Sequence, residues 1–323
     1  MKRTLNIIAC LILTLGGFSL VSCQEDEIIT EAKSLLMEKI SEAENLLATT
    51  EEGLDEGNQA AGSKRELQAK IDQAYYIMNN TDSDEAYSNA LGLLTSAIEA
   101  YRQNTVKAGI PHFGYGANIN LGSEPDLNMG DGYTIECMAR FDDLSAQRYL
   151  FATEGAKQGF VCRTQASTGK IQFTLYTTGW MGSAKWSATA LETGRWYHIA
   201  VTYKAPADGV QGAAYLYIDG KREVDITGLG TKQAESSYDL QFGASACYPD
   251  RHLEGDVQHI AIWDDARTDE EIAADAAASG VLAGNEESLL GYWPLTLNRG
   301  TEILDETGNH TAKLTSISWK DAE

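Results

Sequence analysis

The sequence predicts a mainly β protein, an antiparallel β-sandwich preceded by a small α-helical bundle. Three observations predict it. Apolar residues recur every three or four positions up to residue 106, the apolar period changes to two from residue 110, and an Asp219-Gly220 pair separates two alternating stretches. A period of three to four marks one face of a helix, and a period of two marks one face of a strand.

The helical part is expected to span residues 23–109 and to contain three amphipathic helices. The apolar stripes of these helices begin at Leu35, Leu67 and Ala86. Ser63 followed by Glu66 predicts a capping box for the second helix, and Asp82 or Ser83 can cap the third. Three such helices joined by polar turns pack as an up-down bundle. We expect this part of the chain to act as a stalk or spacer.

The second part, residues 110–323, consists of short alternating stretches that predict strands. The stretches are residues 133–141, 159–163, 171–176 and 196–203. Residues 214–218 and 221–226 flank Asp219-Gly220, which accommodates the positive φ angles of a two-residue hairpin turn. Short strands at this spacing predict an antiparallel sandwich.

The first 22 residues have the pattern of a signal peptide. Lys2 and Arg3 precede an apolar run over residues 7–15 that is too short for a membrane-spanning helix. Residues 20–23, Leu-Val-Ser-Cys, resemble the bacterial lipobox, which implies cleavage before Cys23 and lipidation of that cysteine. An ordinary secretory signal is the alternative.

The acidic residues 25–27 follow directly after the expected anchor. They resemble the export tag of surface lipoproteins from the Bacteroidetes group. The resemblance implies a lipid-anchored protein of the outer membrane that is exposed at the cell surface. The same carboxylates also suit the first turn of a helix, because they interact favourably with the helix dipole.

Charge and cysteine usage exclude several function classes. The chain has 25 Lys and Arg against 47 Asp and Glu, a formal charge of −22, which excludes an electrostatic grip on nucleic acid. Beyond the N-terminal segment, Cys137, Cys162 and Cys247 are an odd number without a C-x-x-C spacing. This pattern argues against a zinc site or a disulfide framework, and we predict no cysteine nucleophile.

Five stretches of the second part form an ordered series. They are residues 194–203, 215–221, 253–267, 291–295 and 305–309. In this order they resemble the concanavalin A-like lectin and glucanase sandwich, in its laminin-G/pentraxin branch, over residues 110–320. The resemblance implies a jelly-roll fold and the binding of carbohydrate.

The resemblance also implies a structural calcium ion. Asp256, Asp305 and Asn309 could supply oxygen ligands of the kind that calcium prefers. Gln258 stands where many bacterial members have an aspartate. Solvated loop carboxylates are the alternative interpretation of these residues.

Some relatives of this fold hydrolyse β-glucans with a Glu-x-Asp-x-(x)-Glu motif, and residues 223–226 resemble its beginning. Thr227 and Gly228 occupy the places where the second glutamate should stand. A retaining glycosidase needs two carboxylates about 5 to 5.5 Å apart. Because the general acid is missing, we predict that the chain is not an enzyme.

Sugar binding needs a flat aromatic ring for the apolar face of the sugar and planar polar groups for its hydroxyls. Five candidates meet this description. Trp180 lies at a predicted strand junction, Trp186 is expected on the returning strand, and Tyr248, Arg251 and His252 share one loop. The alternative is that each residue covers an apolar rim of the sandwich.

Other aromatic residues lie within the predicted strands. We expect Trp196, Trp263 and Trp293 to face inward between the sheets, and His198 to be a hydrogen-bonded strand histidine. The predicted function is therefore non-catalytic glycan binding by a cell-surface lipoprotein, in polysaccharide capture. A protein-binding adhesion or assembly module is the alternative, and a glycoside hydrolase is disfavoured.

Overall fold

The computed structural model describes residues 30–123, 127, 129–155, 157–177, 180–181, 185–248 and 250–322, with the backbone alone at residues 180 and 181. The predicted signal peptide, residues 1–22, and Cys23 lie outside the described residues. Within the described part, no helix combines the length and the apolar character needed to cross a membrane.

The structure contains a helical part followed by a β-rich part. The helices are α1 (Glu31–Thr49), α2 (Ser63–Asn80), α3 (Asp84–Gln103) and α4 (Asp269–Ala277). The first nine strands are β1 (Lys107–Ala108), β2 (Ile110–Phe113), β3 (Asn118–Asn120), β4 (Gly132–Phe141), β5 (Tyr149–Ala152), β6 (Phe160–Thr164), β7 (Ile171–Tyr176), β8 (Trp180–Met181) and β9 (Trp196–Lys204). The remaining strands are β10 (Gly212–Ile218), β11 (Lys221–Leu229), β12 (Gln241–Phe242), β13 (Gly255–Trp263), β14 (Leu289–Trp293), β15 (Leu297–Asn298), β16 (Glu302–Leu304), β17 (Thr311–Thr315) and β18 (Ser318–Lys320).

Helices α1, α2 and α3 form a three-helix bundle, because each buries one apolar stripe against the other two. Leu36 and Ile40 of α1, Ile71 of α2, and Leu94 and Ile98 of α3 belong to one buried cluster. This cluster is separate from the core of the β-rich part. The helical part therefore has a core of its own.

The predicted N-terminal cap is confirmed for α3 and is wrong for α2. Ser83 caps α3 by accepting a backbone N–H of the first turn, as predicted. The predicted capping box at Ser63 is wrong. Ser63 lies inside the first turn of α2, and its hydroxyl accepts a hydrogen bond from the Asn104 amide at 2.8 Å. The Lys64 N–H at this terminus is bonded instead by the Glu52 carboxylate, at 2.6 Å.

Two antiparallel sheets pack face to face, as the alternating pattern predicted. The first sheet has the strand order β11-β10-β9-β4-β13-β2-β18, and β14 also pairs with β13. The second sheet has the order β16-β17-β3-β12-β5-β6-β7-β8. The hairpin between β10 and β11 is confirmed, with φ angles of 50° at Asp219 and 74° at Gly220. A short β1–β15 ribbon lies where the helical part meets the sandwich.

The core of the sandwich lies between the sheets. Trp293 faces this core, as predicted, together with Phe141 from the first sheet and Phe151, Phe160 and Phe173 from the second. The buried thiols of Cys137 and Cys162 also lie in this cluster. Burial raises the pKa of both thiols, which keeps them protonated.

Two tryptophans lie on the opposite face of the first sheet, contrary to the prediction. Trp263 is buried outside the inter-sheet core, with the Arg267 guanidinium 3.8 Å from its ring centre. Trp196 is half-buried, with Arg140 at 5.0 Å from its ring. Trp196 points outward because side chains alternate along β9 and the Tyr197 side chain points into the inter-sheet core.

Candidate functional site

Strands β5, β6 and β7 of the second sheet each place polar or aromatic side chains on the face that points away from the core. The strand register sets Tyr149 opposite Arg163 and Arg163 opposite Gln172. Inward neighbours such as Phe151 and Phe160 belong to the inter-sheet core, whereas Tyr149 belongs to a separate small cluster. We call this side the outer face of the second sheet.

A buried carboxylate organises the centre of this face. Glu154 accepts hydrogen bonds from the Tyr149 hydroxyl at 2.8 Å and from the Tyr176 hydroxyl at 2.6 Å. Burial, together with the nearby Glu154 charge, raises the pKa of both tyrosines. Both hydroxyls therefore stay protonated and donate to Glu154. The Tyr149 hydroxyl also accepts a hydrogen bond from Arg251 at 2.9 Å.

The structure brings together two of the predicted ligand residues, Tyr248 and Arg251. The Arg251 guanidinium lies 4.2 Å from the centre of the Tyr248 ring, in cation–π contact. The Tyr248 side chain is 38% exposed and its ring lies 6.1 Å from the ring of Tyr149. This loop therefore presents an accessible ring and a planar cation at the edge of the outer face.

Trp186 lies at the other side of the same face. It belongs to an irregular segment rather than to a returning strand, and the backbone N–H of Ser187 donates to Ile171 of β7 at 2.8 Å. The Trp186 ring is half-buried, with the Arg163 guanidinium 5.9 Å from its centre. The backbone of Trp180 pairs with Tyr176 in β8, and the side chain of Trp180 lies outside the described residues.

The segment that carries Trp186 is held by Glu223 of the β10–β11 hairpin. The Glu223 carboxylate accepts the backbone N–H groups of Ala188 and Thr189, at 2.8 and 3.0 Å, and the Thr189 hydroxyl at 2.7 Å. Burial opposes ionisation of Glu223, but these hydrogen bonds outweigh it and lower its pKa. Its neighbour on the same strand, Asp225, is exposed and faces Arg222 at 3.4 Å. The first acid of the glucanase-like motif thus has a structural role.

His252 does not join the other loop residues. Its imidazole Nε2 lies 3.1 Å from a Glu254 oxygen, and its ring meets Tyr115 edge to face at 5.2 Å. Arg251, its neighbour in the chain, instead contacts Tyr149 and Tyr248. The predicted group of five is therefore divided, with His252 outside the outer face.

The calcium ion that the fold resemblance implies does not fit Asp256. This buried carboxylate takes the Arg140 guanidinium at 2.8 Å, lies 2.9 Å from Nδ1 of His112, and has the Lys320 ammonium at 3.2 Å. His112, Asp142 and Asp256 form a potential ligand group, but Lys320 also approaches Asp142 at 3.3 Å. The carboxylates of Asp142 and Asp256 are already paired with Arg140 and Lys320, so a divalent cation would have to displace these two side chains.

Asp305 and Asn309 lie elsewhere. Asp305 accepts the backbone N–H groups of Asn309 at 2.9 Å and Thr307 at 2.9 Å, and that of Tyr292 at 3.3 Å. Tyr292 lies in β14, which pairs with the second half of β13, whereas Asp256 lies near the start of β13. The structure therefore does not assemble Asp256, Asp305 and Asn309 into one site. The Asp305 carboxylate instead holds its own loop together.

A buried polar cluster lies on the opposite side of the sandwich, under α4, and was not predicted. Trp263 donates to the Glu136 carboxylate at 2.7 Å, and Nε2 of His198 lies within ion-pair distance of the same carboxylate, at 3.2 Å. Arg267 donates twice to Asp275 of α4, at 3.0 and 2.7 Å. Burial, and then the Glu136 charge, raises the pKa of Asp275 to about 6.

Several residues of the outer face were missed by sequence reasoning, although a signal was present. Residues 159–163 and 171–176 alternate, so Arg163, Gln172 and Tyr176 fall on the side opposite to Phe160 and Phe173. A planar or aromatic polar residue at three outward positions of two neighbouring strands is a pattern that could have identified this face.

The comparisons with known proteins agree with the architecture. Residues 113–273 match the Laminin_G_3 family, described as the concanavalin A-like lectin/glucanases superfamily. A candidate carbohydrate-binding protein from Bacteroides ovatus is similar at 20% sequence identity and a TM-score of 0.52. The similarity covers 67% of this chain and 60% of that one, so this chain spans less than two thirds of its length.

Two other solved structures are similar at lower scores. One is an SAP-like pentraxin from Limulus polyphemus, with 16% identity, a TM-score of 0.40, and coverage of 55% of this chain and 83% of that one. The other is the CBM40 of the Ruminococcus gnavus IT-sialidase bound to α2,3-sialyllactose, with 16% identity, a TM-score of 0.39, and coverage of 53% and 97%. No curated protein matches the chain. The paired antiparallel sheets and the family match together show that the β-sandwich of this chain has the concanavalin A-like fold.

Proposed function

We propose that this chain is a non-catalytic glycan-binding protein and that the outer face of the second sheet is its binding site. The observation that carries the proposal is the arrangement of the accessible ring of Tyr248 and the half-buried ring of Trp186 beside the half-buried planar side chains of Arg251 and Arg163. Aromatic rings contact the apolar face of a sugar, and planar polar groups bind its hydroxyls. The similarity to a candidate carbohydrate-binding protein supports the same function.

Binding without cleavage is supported by the way Glu154 is used. Glycosidases of the common types require two carboxylates on either side of the scissile bond. On the outer face, Glu154 is buried and both of its oxygens accept hydrogen bonds from tyrosine hydroxyls. Glu223 is likewise committed to the segment that carries Trp186. Both carboxylates therefore serve to position the site.

The proposal includes a cellular role, the capture of polysaccharide by a lipid-anchored protein of the outer membrane. It rests on the lipobox-like residues 20–23 and the acidic residues that follow Cys23. Metabolic labelling with a palmitate analogue tests this part. Label in the wild-type chain that is absent from Cys23→Ser supports lipidation, and an unlabelled wild-type chain contradicts it.

Binding is tested by titrating the purified chain against a polysaccharide panel in a calorimeter. Tyr248→Ala, Trp186→Ala and Trp180→Ala remove the proposed rings, and Tyr76→Ala, an exposed tyrosine of α2, is the matched control. We expect each ring variant to weaken binding about tenfold, which corresponds to about 1.4 kcal/mol, and the control to bind like wild type. The absence of binding across the panel would refute the proposal and favour a protein-binding module.

A further inference from the structure

Seven of the ten arginines that the structure describes form an ion pair with a carboxylate. This is expected in a protein that has 47 acidic residues against 25 basic ones. Arginines of the described residues that form an ion pair are Arg102, Arg140, Arg148, Arg195, Arg222, Arg267 and Arg299. An acidic partner is therefore easily available to an arginine of this chain.

Three described arginines differ from this pattern: Arg65 lies on α2, whereas Arg163 and Arg251 lie together on the outer face of the second sheet. Among the described residues, the side-chain hydrogen-bond partners of Arg163 and Arg251 are neutral. Arg163 donates to the side-chain oxygens of Gln172 and Gln147, at 3.0 to 3.2 Å, and Arg251 donates to the Tyr149 hydroxyl at 2.9 Å. Both guanidinium groups are half-buried, and each lies over an aromatic ring.

The two arginines flank the same residue. Arg163 is the cross-strand partner of Tyr149, and Arg251 both bonds the Tyr149 hydroxyl and lies over its ring. Within the part of the chain that the structure describes, no carboxylate lies at ion-pair distance from either guanidinium. Glu154 is occupied by two tyrosine hydroxyls, and Asp250 is an exposed loop residue. Two cations thus share one face of the sheet, and their side-chain hydrogen bonds within the described residues go to neutral groups.

The N–H groups of each guanidinium that remain for a ligand follow from its hydrogen bonds to the protein. A guanidinium carries five N–H groups. Three protein hydrogen bonds use three of those on Arg163 and leave two, and one hydrogen bond uses one of those on Arg251 and leaves four. A partly desolvated guanidinium without a carboxylate partner is unfavourable, and its planar fork matches a carboxylate or a sulfate. A ligand anion would accept the remaining N–H groups of both arginines and balance their charge.

We propose that the outer face of the second sheet is specific for anionic glycans, and that Arg251 and Arg163 bind a sugar carboxylate or sulfate ester beside the rings of Tyr248 and Trp186. This inference rests on the proposed function and names its ligand class. The formal charge of −22 repels polyanions in general, so an acidic polysaccharide that binds this chain must do so at a local cationic site.

The test uses polymers that differ in charge alone. The full chain is titrated with polygalacturonate and with the same polymer after reduction of its carboxyl groups, and in parallel with carrageenan and desulfated carrageenan. The first pair tests a sugar carboxylate and the second tests a sulfate ester. We expect at least tenfold tighter binding to one charged polymer than to its neutral counterpart, and weaker binding of that polymer as salt is raised.

Variants assign the effect to the two arginines. Arg251→Gln and Arg163→Gln are each expected to weaken binding of the charged polymer at least tenfold, and Arg251→Lys, which keeps the charge, is expected to retain part of it. Arg195→Gln is the matched control, because Arg195 also lies over a tyrosine but is paired with Asp219 on the first sheet. Thermal melts confirm that each variant is folded.

The outcomes separate the inference from the proposed function. Equal affinity for the charged and the neutral polymer in both pairs would overturn the charge specificity while leaving glycan binding intact. Unchanged affinity in both glutamine variants, with loss in Tyr248→Ala, would also overturn it. If no polysaccharide of either kind binds, the proposed function fails and the inference fails with it.

Discussion

The pH dependence of stability tests the buried cluster under α4. Asp275 is 8% exposed, and burial together with the Glu136 charge raises its pKa to about 6 from an ordinary value of 3.8, while Arg267 opposes the shift. The folded chain therefore binds this proton more tightly than the unfolded chain. Folding takes up a proton between about pH 4 and 6, so the contribution of Asp275 to stability is present at low pH and is lost as the pH rises through about 6.

The magnitude follows from the difference in pKa. At 1.36 kcal/mol for each pKa unit, the shift corresponds to about 3 kcal/mol, of which about 2 kcal/mol falls between pH 4 and 7. Urea denaturation of wild type and Asp275→Asn at four pH values in this range measures it. We expect the free energy of unfolding of wild type to fall relative to that of the variant by about this amount. A difference that stays constant from pH 4 to 7 would refute the reasoning.

Two further variants sharpen this experiment. Glu136→Gln removes the charge that disfavours ionised Asp275 but keeps an oxygen for Trp263, so the pH dependence should shrink and move to lower pH. Asp269→Asn, on the same helix, is the control of opposite sign. Hydrogen bonds from Tyr217 and Arg222 lower the pKa of Asp269, so its contribution to stability is lost as the pH falls.

Three other outcomes are expected, all measured by chemical or thermal denaturation. Trp293→Leu should lower the free energy of unfolding by about 2 to 4 kcal/mol, because the ring fills the inter-sheet core; a loss below about 1 kcal/mol would contradict that placement. Gly243→Ala should destabilise more than Gly194→Ala, because both glycines have positive φ but only at Gly243 would a new Cβ lie 2.2 Å from the Phe113 ring; equal losses would contradict this. Asp305→Ala should lower the free energy of unfolding by about 2 to 4 kcal/mol, because the backbone N–H groups of its loop lose their acceptor. EDTA should leave the melting temperature of wild type unchanged, and a lower melting temperature in EDTA would indicate that Asp305 binds a metal ion.

Much of the architecture was predictable from local patterns. The change of period from three or four to two located the helical part and the strands, and Asp219-Gly220 located a hairpin turn whose two residues both have positive φ. These signals are local, since a strand or a turn is specified by residues within a few positions of each other. The fold class therefore needed no knowledge of which strands are neighbours.

The orientation of the tryptophans was not predictable in the same way. Both faces of β9 are largely buried, because the inner face meets the second sheet and α4 packs Ile272 against the outer face at Ala200. Alternation distinguishes two faces of a strand but does not tell which one meets the partner sheet when both are covered. Trp196 was therefore assigned to the wrong side.

The candidate site was predicted only in part, for a related reason. Tyr248 and Arg251 were identifiable as loop residues, but they contact Tyr149, which lies about a hundred positions earlier in the sequence. The cross-strand pairing of Tyr149 with Arg163 depends on the register between β5 and β6, which a local pattern does not specify. The predicted cap of α2 was wrong for a similar reason, because Ser63 is bonded by Asn104, which follows the end of α3 and lies 41 positions away in the sequence. Long-range partners, rather than local preference, decided these side chains.

The side chains at the centre of the outer face have consequences for how such a chain can diverge. Tyr149, Ala152 and Val161 form a small cluster apart from the large one between the sheets. The accessible ring of Tyr248 and the half-buried ring of Trp186 lie outside the strands at the border of this cluster, so substitutions at these two positions need not disturb the packing between the sheets. A lineage of such proteins could exchange one sugar preference for another while its melting behaviour stayed nearly constant, with recognition and folding evolving under separate constraints.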